Sequence, residues 1–351
     1  MLVLIGILVK ILIVVGVTQG AVAYLILVER KVAAYAQDRI GPNRCGREFG
    51  LPFGLLQPLA DGAKMLLKED VIPSYVSKPV FILAPSIAII AAMIGFAVVP
   101  FGPVGPGSPW LMQQGQVEFQ IAPGIDVGIV YIFAIGSLAV YGVILGGWAS
   151  NNKYSFLGGL RSSAQLISYE IPLGMSILGI VLLARSLDLN TIVNWQDSHV
   201  WGILVQPIGC LLFMTSAFAE TNRLPFDLPE AEQELVGGYH TEYSAMKFGM
   251  FFLGEYLHVI TVSYLTVILF FGGWDVPFLL DQHQVGWIPA LAKMLVLMAK
   301  VGLMIFFMMW VRWTLPRFRY DQLMDLAWKS LIPLALVNLV ATATIVQIIR
   351  G

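Results

Sequence analysis

The sequence predicts an all-α polytopic membrane protein: eight transmembrane helices and one amphipathic helix on the cytoplasmic surface. Three observations lead there. Hydrophobic residues make up 58% of the 351 residues and charged residues 12%, with a mean hydropathy of +0.78, far from a soluble average. The apolar residues gather in eight stretches, and a helix needs about 20 apolar residues to cross roughly 30 Å of hydrocarbon. The basic residues are sorted between alternate loops. No stretch shows the alternation over about ten residues that marks an outer-membrane barrel.

The spans are read at about 2–28, 79–101, 125–148, 164–184, 200–218, 247–272, 288–311 and 329–349, forming a single membrane domain over residues 1–351. The first is expected to persist as an anchor. It lacks a basic leader and runs into Glu29-Arg30-Lys31, not into a small-residue cleavage site. Loops 29–78, 149–163, 219–246 and 312–328, with Lys247 and Lys329 at span edges, hold 16 of the 21 basic residues. Loops 102–124, 185–199 and 273–287 hold Arg185 alone. That asymmetry predicts a cytoplasmic first set and both termini on the outer side.

Loop 29–78 exceeds a simple turn. Leu55, Leu56, Leu59, Ala63, Leu66 and Leu67 recur there at helical spacing, with Asp61, Lys64 and Lys68 on the other side. This predicts a surface helix over about 55–69, either an anchor or the floor of a cavity. Segment 102–124, rich in Gly and Pro, reads as an outer loop.

Charge in the remaining chain is unusual. Six of the 22 acidic residues fall within 23 positions: Glu220, Asp227, Glu230, Glu232, Glu234 and Glu242. Carboxylates this close cannot all ionise freely, so some hold protons near neutral pH. Pro225 and Pro229 prevent an uninterrupted helix across this acidic loop.

Glu170 sits inside the fourth span, two residues before Pro172. A carboxylate there costs roughly 2.5–3.5 kcal/mol on insertion scales and is functional by default. Pro172 takes the hydrogen-bond donor from the Ser168 carbonyl and predicts a kink with local water. Glu255 lies one turn before His258 in the sixth span. Glu-x-x-His is also di-iron ligand spacing, but two copies are needed and one is present. A proton relay fits better.

Several chemistries lack support. Cys45 and Cys210 face opposite environments, so no disulfide is expected. Without further cysteines they hold no iron–sulfur cluster alone. Neither a Gly-rich dinucleotide fingerprint nor a phosphate-binding loop occurs. No cofactor bound by this chain alone, no metal and no nucleic-acid partner are expected.

The string Val28–Lys31, then Gly41-Pro42-Asn43, Leu55–Lys64, Lys153-Tyr154-Ser155, Ser168-Tyr169-Glu170 and Ala219–Asp227 carry a resemblance. Glu230-x-Glu232-x-Glu234-Leu235 and Glu242-Tyr243 extend it. Together they resemble the quinone-site membrane subunit of respiratory complex I, the H subunit in bacteria and subunit 1 in mitochondria. The resemblance implies a chamber that admits the isoprenoid tail of a quinone, ubiquinone or menaquinone, as substrate. The chamber residues are then Glu29, Arg30, Arg39, Asp61, Lys64, Arg223 and Phe226. The proton path is Glu170, Glu220, Asp227, Glu230, Glu232, Glu234, Glu242 and Glu255. Implied partners are peripheral iron–sulfur and quinone-pocket subunits, which carry the iron–sulfur clusters and FMN. Antiporter-like membrane subunits and membrane lipids complete the set, in a bacterial cytoplasmic membrane. Two rivals share the acids: the homologous subunit of a membrane-bound hydrogenase, and a proton-coupled secondary transporter.

Overall fold

A computed structural model describes residues 2–350 except 104, 107–111, 114–115, 118–119, 229–235 and 277–286. Among the described residues, twelve α-helices organise the chain: α1 Leu2–Ala36, α2 Gln57–Leu67, α3 Lys78–Ile94, α4 Gly128–Ala149, α5 Lys153–Ala184 and α6 Leu189–Ser198, then α7 Gly202–Val205, α8 Pro207–Glu220, α9 Ala245–Phe270, α10 Trp287–Thr314, α11 Tyr320–Asp325 and α12 Ile332–Arg350. A π-helical segment, Leu326–Leu331, joins α11 to α12. Three two-residue strands, β1 Gly105–Pro106, β2 Met112–Gln113 and β3 Gln116–Val117, form a small antiparallel ribbon in the order β1-β3-β2.

Seven described helical segments are long and apolar enough to cross a membrane: Ile5–Ala36, Lys78–Ala97, Gly128–Ala149, Lys153–Ala184, Ala245–Phe270, Ile288–Thr314 and Tyr320–Ile349. The chain is an integral membrane protein. Burial separates inner from outer helices: the apolar window of α9 is 78% buried, that of α1 only 17%. Thus α9 forms the centre, with α3, α8 and α10 packed on it.

The apolar stretch at 200–218 is not one long helix. Gln206 breaks it, with φ −128 and ψ 60, between α7 and the 14-residue α8. Pro207 supplies the reason, because proline steers the preceding residue away from helical geometry. The side chain at the break is satisfied sideways. Gln206 donates to Thr342 Oγ1 at 2.6 Å and accepts from Asn338 Nδ2 at 3.0 Å, which ties α8 to α12. Pro172 lies inside the 32-residue α5, whose helix continues across it.

Glycines bring α3, α4 and α5 close together. A Cβ on Gly142 would lie 2.9 Å from the Ala84 carbonyl oxygen, and one on Gly147 2.7 Å from that of Ser155. Gly158 abuts the backbone of Gly238 in the same way. Small residues permit this approach where side chains would hold helices apart.

The segment 185–199, read from sequence as a connector, contains α6. Asp188 caps it, accepting from Thr191 N at 2.9 Å. Leu189, Ile192, Val193 and Gln196 are buried, a helical repeat facing the core.

Candidate functional site

The site begins where α1 meets α9 and α10. Glu29 is 4% exposed and Arg223 6%. Arg223 Nη1 donates to both Glu29 oxygens, at 2.8 and 2.7 Å. Tyr256 in α9 donates its hydroxyl to Glu29 Oε2 at 2.5 Å, and Arg312 at the end of α10 also donates to this carboxylate. A buried carboxylate persists only when charge and hydrogen bonds replace its water, and Glu29 has both.

Arg223 also reaches the other way. Its Nε pairs with Glu255 Oε1 at 2.7 Å, and its guanidinium lies 4.1 Å from the Tyr256 ring centroid. Asp227, close enough to interact with Glu255, pairs with Arg317 at 3.3 Å. Three carboxylates and three guanidinium groups thus meet in one network. It is formally neutral, so the membrane carries no net charge there.

Arg223 is placed by its loop. Gln165 in α5 donates to the carbonyls of Ala219 at 2.8 Å and Phe226 at 2.9 Å. Phe226 stacks on Phe318 and sits against Tyr169, so it packs the loop between α5 and the segment after α10. One face of the network opens on a small apolar cavity lined by Leu25, Tyr256, Ile305 and Arg312. Leu25 and Ile305 also line an apolar groove of about 630 Å³ between α1, α9 and α10.

Beyond Glu255 lies a second compartment. Glu170 from α5, Glu220 from α8, and Glu255 and His258 from α9 line one cavity of about 60 Å³. A water needs about 10–15 Å³ of such space, so several fit. Glu220 Oε2 is buried with no hydrogen-bond partner among the described residues, and Glu170 is near enough to interact with Glu220 electrostatically.

The remaining expected residues are placed as follows. Arg30 pairs with Asp61 of α2 at 2.7 Å, and Gln57 donates to the same carboxylate at 3.0 Å. Lys64 is exposed on α2. Arg39 turns to Gln37 at 2.8 Å and does not join the network. Glu242 accepts from Tyr75 at 3.0 Å and Asn152 at 2.6 Å, outside the acid cavity; this hydrogen bond, with burial and then the charge of Glu242, raises the Tyr75 pKa. Glu230, Glu232 and Glu234 lie outside the described residues. Among the described residues no cluster of His, Cys, Asp and Glu is arranged to hold a metal ion.

Sequence reasoning missed Arg312, Arg317 and Tyr256. The two arginines looked like ordinary positive-inside anchors, and Tyr256 is one more aromatic in an apolar run. Their role depends on partners distant in sequence, such as Glu29 and Arg312, 283 positions apart.

His240, in the turn following the acidic loop, is neutral by burial, which lowers its pKa to about 4. An unfolded histidine titrates near 6.5. The turn's stability is therefore complete above pH 6.5 and declines as pH falls toward 4, because the open state binds the extra proton. Hydrogen exchange of residues 238–243 is expected to show greater opening at pH 5 than at pH 7. His240→Gln should abolish the difference.

The fold and site define a class: a polytopic membrane protein whose buried ion-pair network adjoins a carboxylate-lined cavity. A family profile described as NADH dehydrogenase matches residues 9–343. An H subunit of the NADH-quinone oxidoreductase of Cytophaga hutchinsonii, the one numbered 1, is 49% identical over 323 residues, 91% of this chain and 90% of that protein. The NADH-quinone oxidoreductase H subunit of Leptospira biflexa is 50% identical over 333 residues, covering 93% and 90%. The H subunit numbered 2 of Koribacter versatilis is 46% identical over an alignment of 353 positions, covering 97% of each. The chain belongs to the NADH dehydrogenase family, among relatives named as H subunits of NADH-quinone oxidoreductase.

Proposed function

We propose that this chain is the membrane subunit of a proton-translocating NADH:quinone oxidoreductase, where it forms the quinone access chamber and couples quinone reduction to proton movement. The observation that carries this reading is Arg223. One nitrogen holds Glu29 and another holds Glu255, so one guanidinium joins the α1 end of the network to the acid cavity.

The chemistry follows from that bridge. A quinone head group that accepts electrons becomes anionic until protonated, and guanidinium groups stabilise such an anion through charge-assisted hydrogen bonds. When Arg223 and Arg312 are drawn toward the head group, their hold on Glu29 and Glu255 weakens, and the carboxylates gain protons. Such a shift needs unequal interaction with oxidised and reduced head groups, which their difference in charge supplies. Glu170, Glu220 and Glu255 then exchange protons through the cavity between them.

Residues Glu29, Arg30, Asp61, Lys64 and Arg223 are assigned to the chamber, with Arg39 and Phe226 at its edge, as a positioning contact in the case of Phe226. The groove between α1, α9 and α10 suits an isoprenoid tail. Glu170, Glu220, Asp227 and Glu255 form the proton path, and Glu230, Glu232, Glu234 and Glu242 extend it toward the cytoplasm. The broken segment of α7 and α8 is read as an eighth crossing and α2 as a surface helix. The assembly sits in the bacterial cytoplasmic membrane, with both termini outside. Partner subunits carry FMN and the iron–sulfur clusters that deliver electrons, and antiporter-like subunits receive the protonation signal. The quinone is ubiquinone or menaquinone.

The test is purification with a tag on this chain. Iron–sulfur subunits and NADH–quinone activity are expected to co-purify, whereas the chain alone should show neither NADH oxidation nor quinone reduction. Robust NADH–quinone activity from the single chain would overturn the reading, as would intact membranes in which it has no redox partner.

A further inference from the structure

The acid cavity does not end at His258. A second cavity, about 20 Å³, is lined by Ala91, Phe133, Thr261, Val262 and Leu265 and also by Gly136, Glu220 and His258. The last three line the acid cavity too. Glu220 and His258 therefore stand at the junction of the two spaces. From His258 to Leu265 a helix rises about 10 Å, so the second space runs along α9 toward its Phe270 end. The ends of α3 and α4 that border it, near Gly95 and Ile132, lie at that same end of the bundle.

The polar groups here are few. Glu170, Glu220 and Glu255 are the ionisable carboxylates lining the first cavity, and Glu220 is the one shared with the second. Glu220 Oε2 has no hydrogen-bond partner among the described residues. A buried carboxylate oxygen without a protein partner calls for water or a proton donor. An imidazole is suited to this place because one ring nitrogen accepts a proton while the other donates one.

We propose that His258 is a proton-relay residue that extends the acid path from Glu220 into the second cavity, toward the side of the membrane opposite the charged network. The Glu220 carboxyl gives its proton to one ring nitrogen, forming an imidazolium. The other ring nitrogen releases a proton to water in the second cavity. Tautomer exchange or ring rotation restores the histidine, Glu220 is reprotonated from Glu170 or Glu255 through the first cavity, and no electrons move. This inference rests on the proton-translocating function proposed above.

Two kinds of variant test it in the assembled enzyme reconstituted into vesicles. His258→Gln keeps polarity and approximate size but cannot relay a proton. It is expected to slow quinone-coupled proton translocation roughly 100-fold, the low end of general acid–base effects, while NADH oxidation by a hydrophilic artificial acceptor stays unchanged. His258→Ala should be equally slow and should recover on addition of imidazole, a recovery that a merely structural histidine would not show. Gly95 and Gly136 have nothing within 4 Å of where a Cβ would sit. Gly136→Val therefore adds bulk at the junction from a position where a Cβ meets no neighbour, and the same loss is expected. Parental translocation in His258→Gln, no recovery of His258→Ala with imidazole, or full translocation in Gly136→Val would each overturn the relay while leaving the wider function standing. A parental enzyme that reduces quinone but moves no protons would overturn both.

Discussion

Replacing Arg223 by Met breaks a buried ion pair and is expected to destabilise the membrane site by about 3–5 kcal/mol and, with the bridge between Glu29 and Glu255 gone, to cut quinone reduction by the assembled enzyme about 100-fold. Arg312 still neutralises Glu29 in that variant, so the uncompensated charge falls on Glu255. NADH oxidation with a hydrophilic acceptor should be unchanged, which separates loss at the membrane site from loss of the electron-input machinery. Arg223→Lys keeps the charge but not the fork that holds two carboxylates at once, and about a tenfold loss is expected. The double variant Arg223→Met with Glu255→Gln carries the sharper readout. Removing both charges should restore stability lost by the single change, a coupling visible in a double-mutant cycle. Additive effects, or a parental quinone rate in Arg223→Met, would show that the bridge is incidental.

Glu170→Gln should give a complex that assembles normally and translocates protons about 100-fold more slowly, since the amide keeps the shape but cannot carry a carboxyl proton. Glu170 shares its cavity with Glu220 and Glu255. If the three act as one relay, Glu170→Gln combined with Glu220→Gln should be hardly worse than either alone. Glu170→Asp should retain part of the activity on a shorter arm. Blue-native analysis of assembly is the control, because a missing complex reports only misfolding. Normal translocation per quinone in Glu170→Gln would make Glu170 a structural acid.

The all-helical membrane character and the seven long apolar helices were legible in the sequence because membrane crossing demands length and apolarity within a continuous segment. Local breaks were legible in principle and overlooked. Pro207 announces the interruption at Gln206, and Asp188 followed by Leu189, Ile192 and Val193 announces α6. Pro172 falls within α5, on a stretch where Ser168, Tyr169 and Leu173 are buried. The end of α1 extends eight residues beyond the apolar stretch because no breaker appears before Gly41-Pro42. The individual acids were visible as costly exceptions in apolar surroundings. Their partners were not: Arg312 and Tyr256 meet Glu29 only after three helices converge. Nor does spacing separate Glu242, which bonds Tyr75 and Asn152, from Glu220, which lines the cavity.

The glycine contacts among α3, α4 and α5 have a mechanical consequence. Where a methyl group would already collide with a neighbouring carbonyl, as at Gly142 and Gly147, backbone is seated against backbone like a key in its slot. Sliding one of these helices past another by even part of a turn would drive the larger flanking side chains into those slots, in a close-packed interior with little slack. This wall of the acid cavity is a fixed stator. Across the cavity from it stand α8 and α9, which present Glu220, Glu255 and His258 to a surface that holds its position.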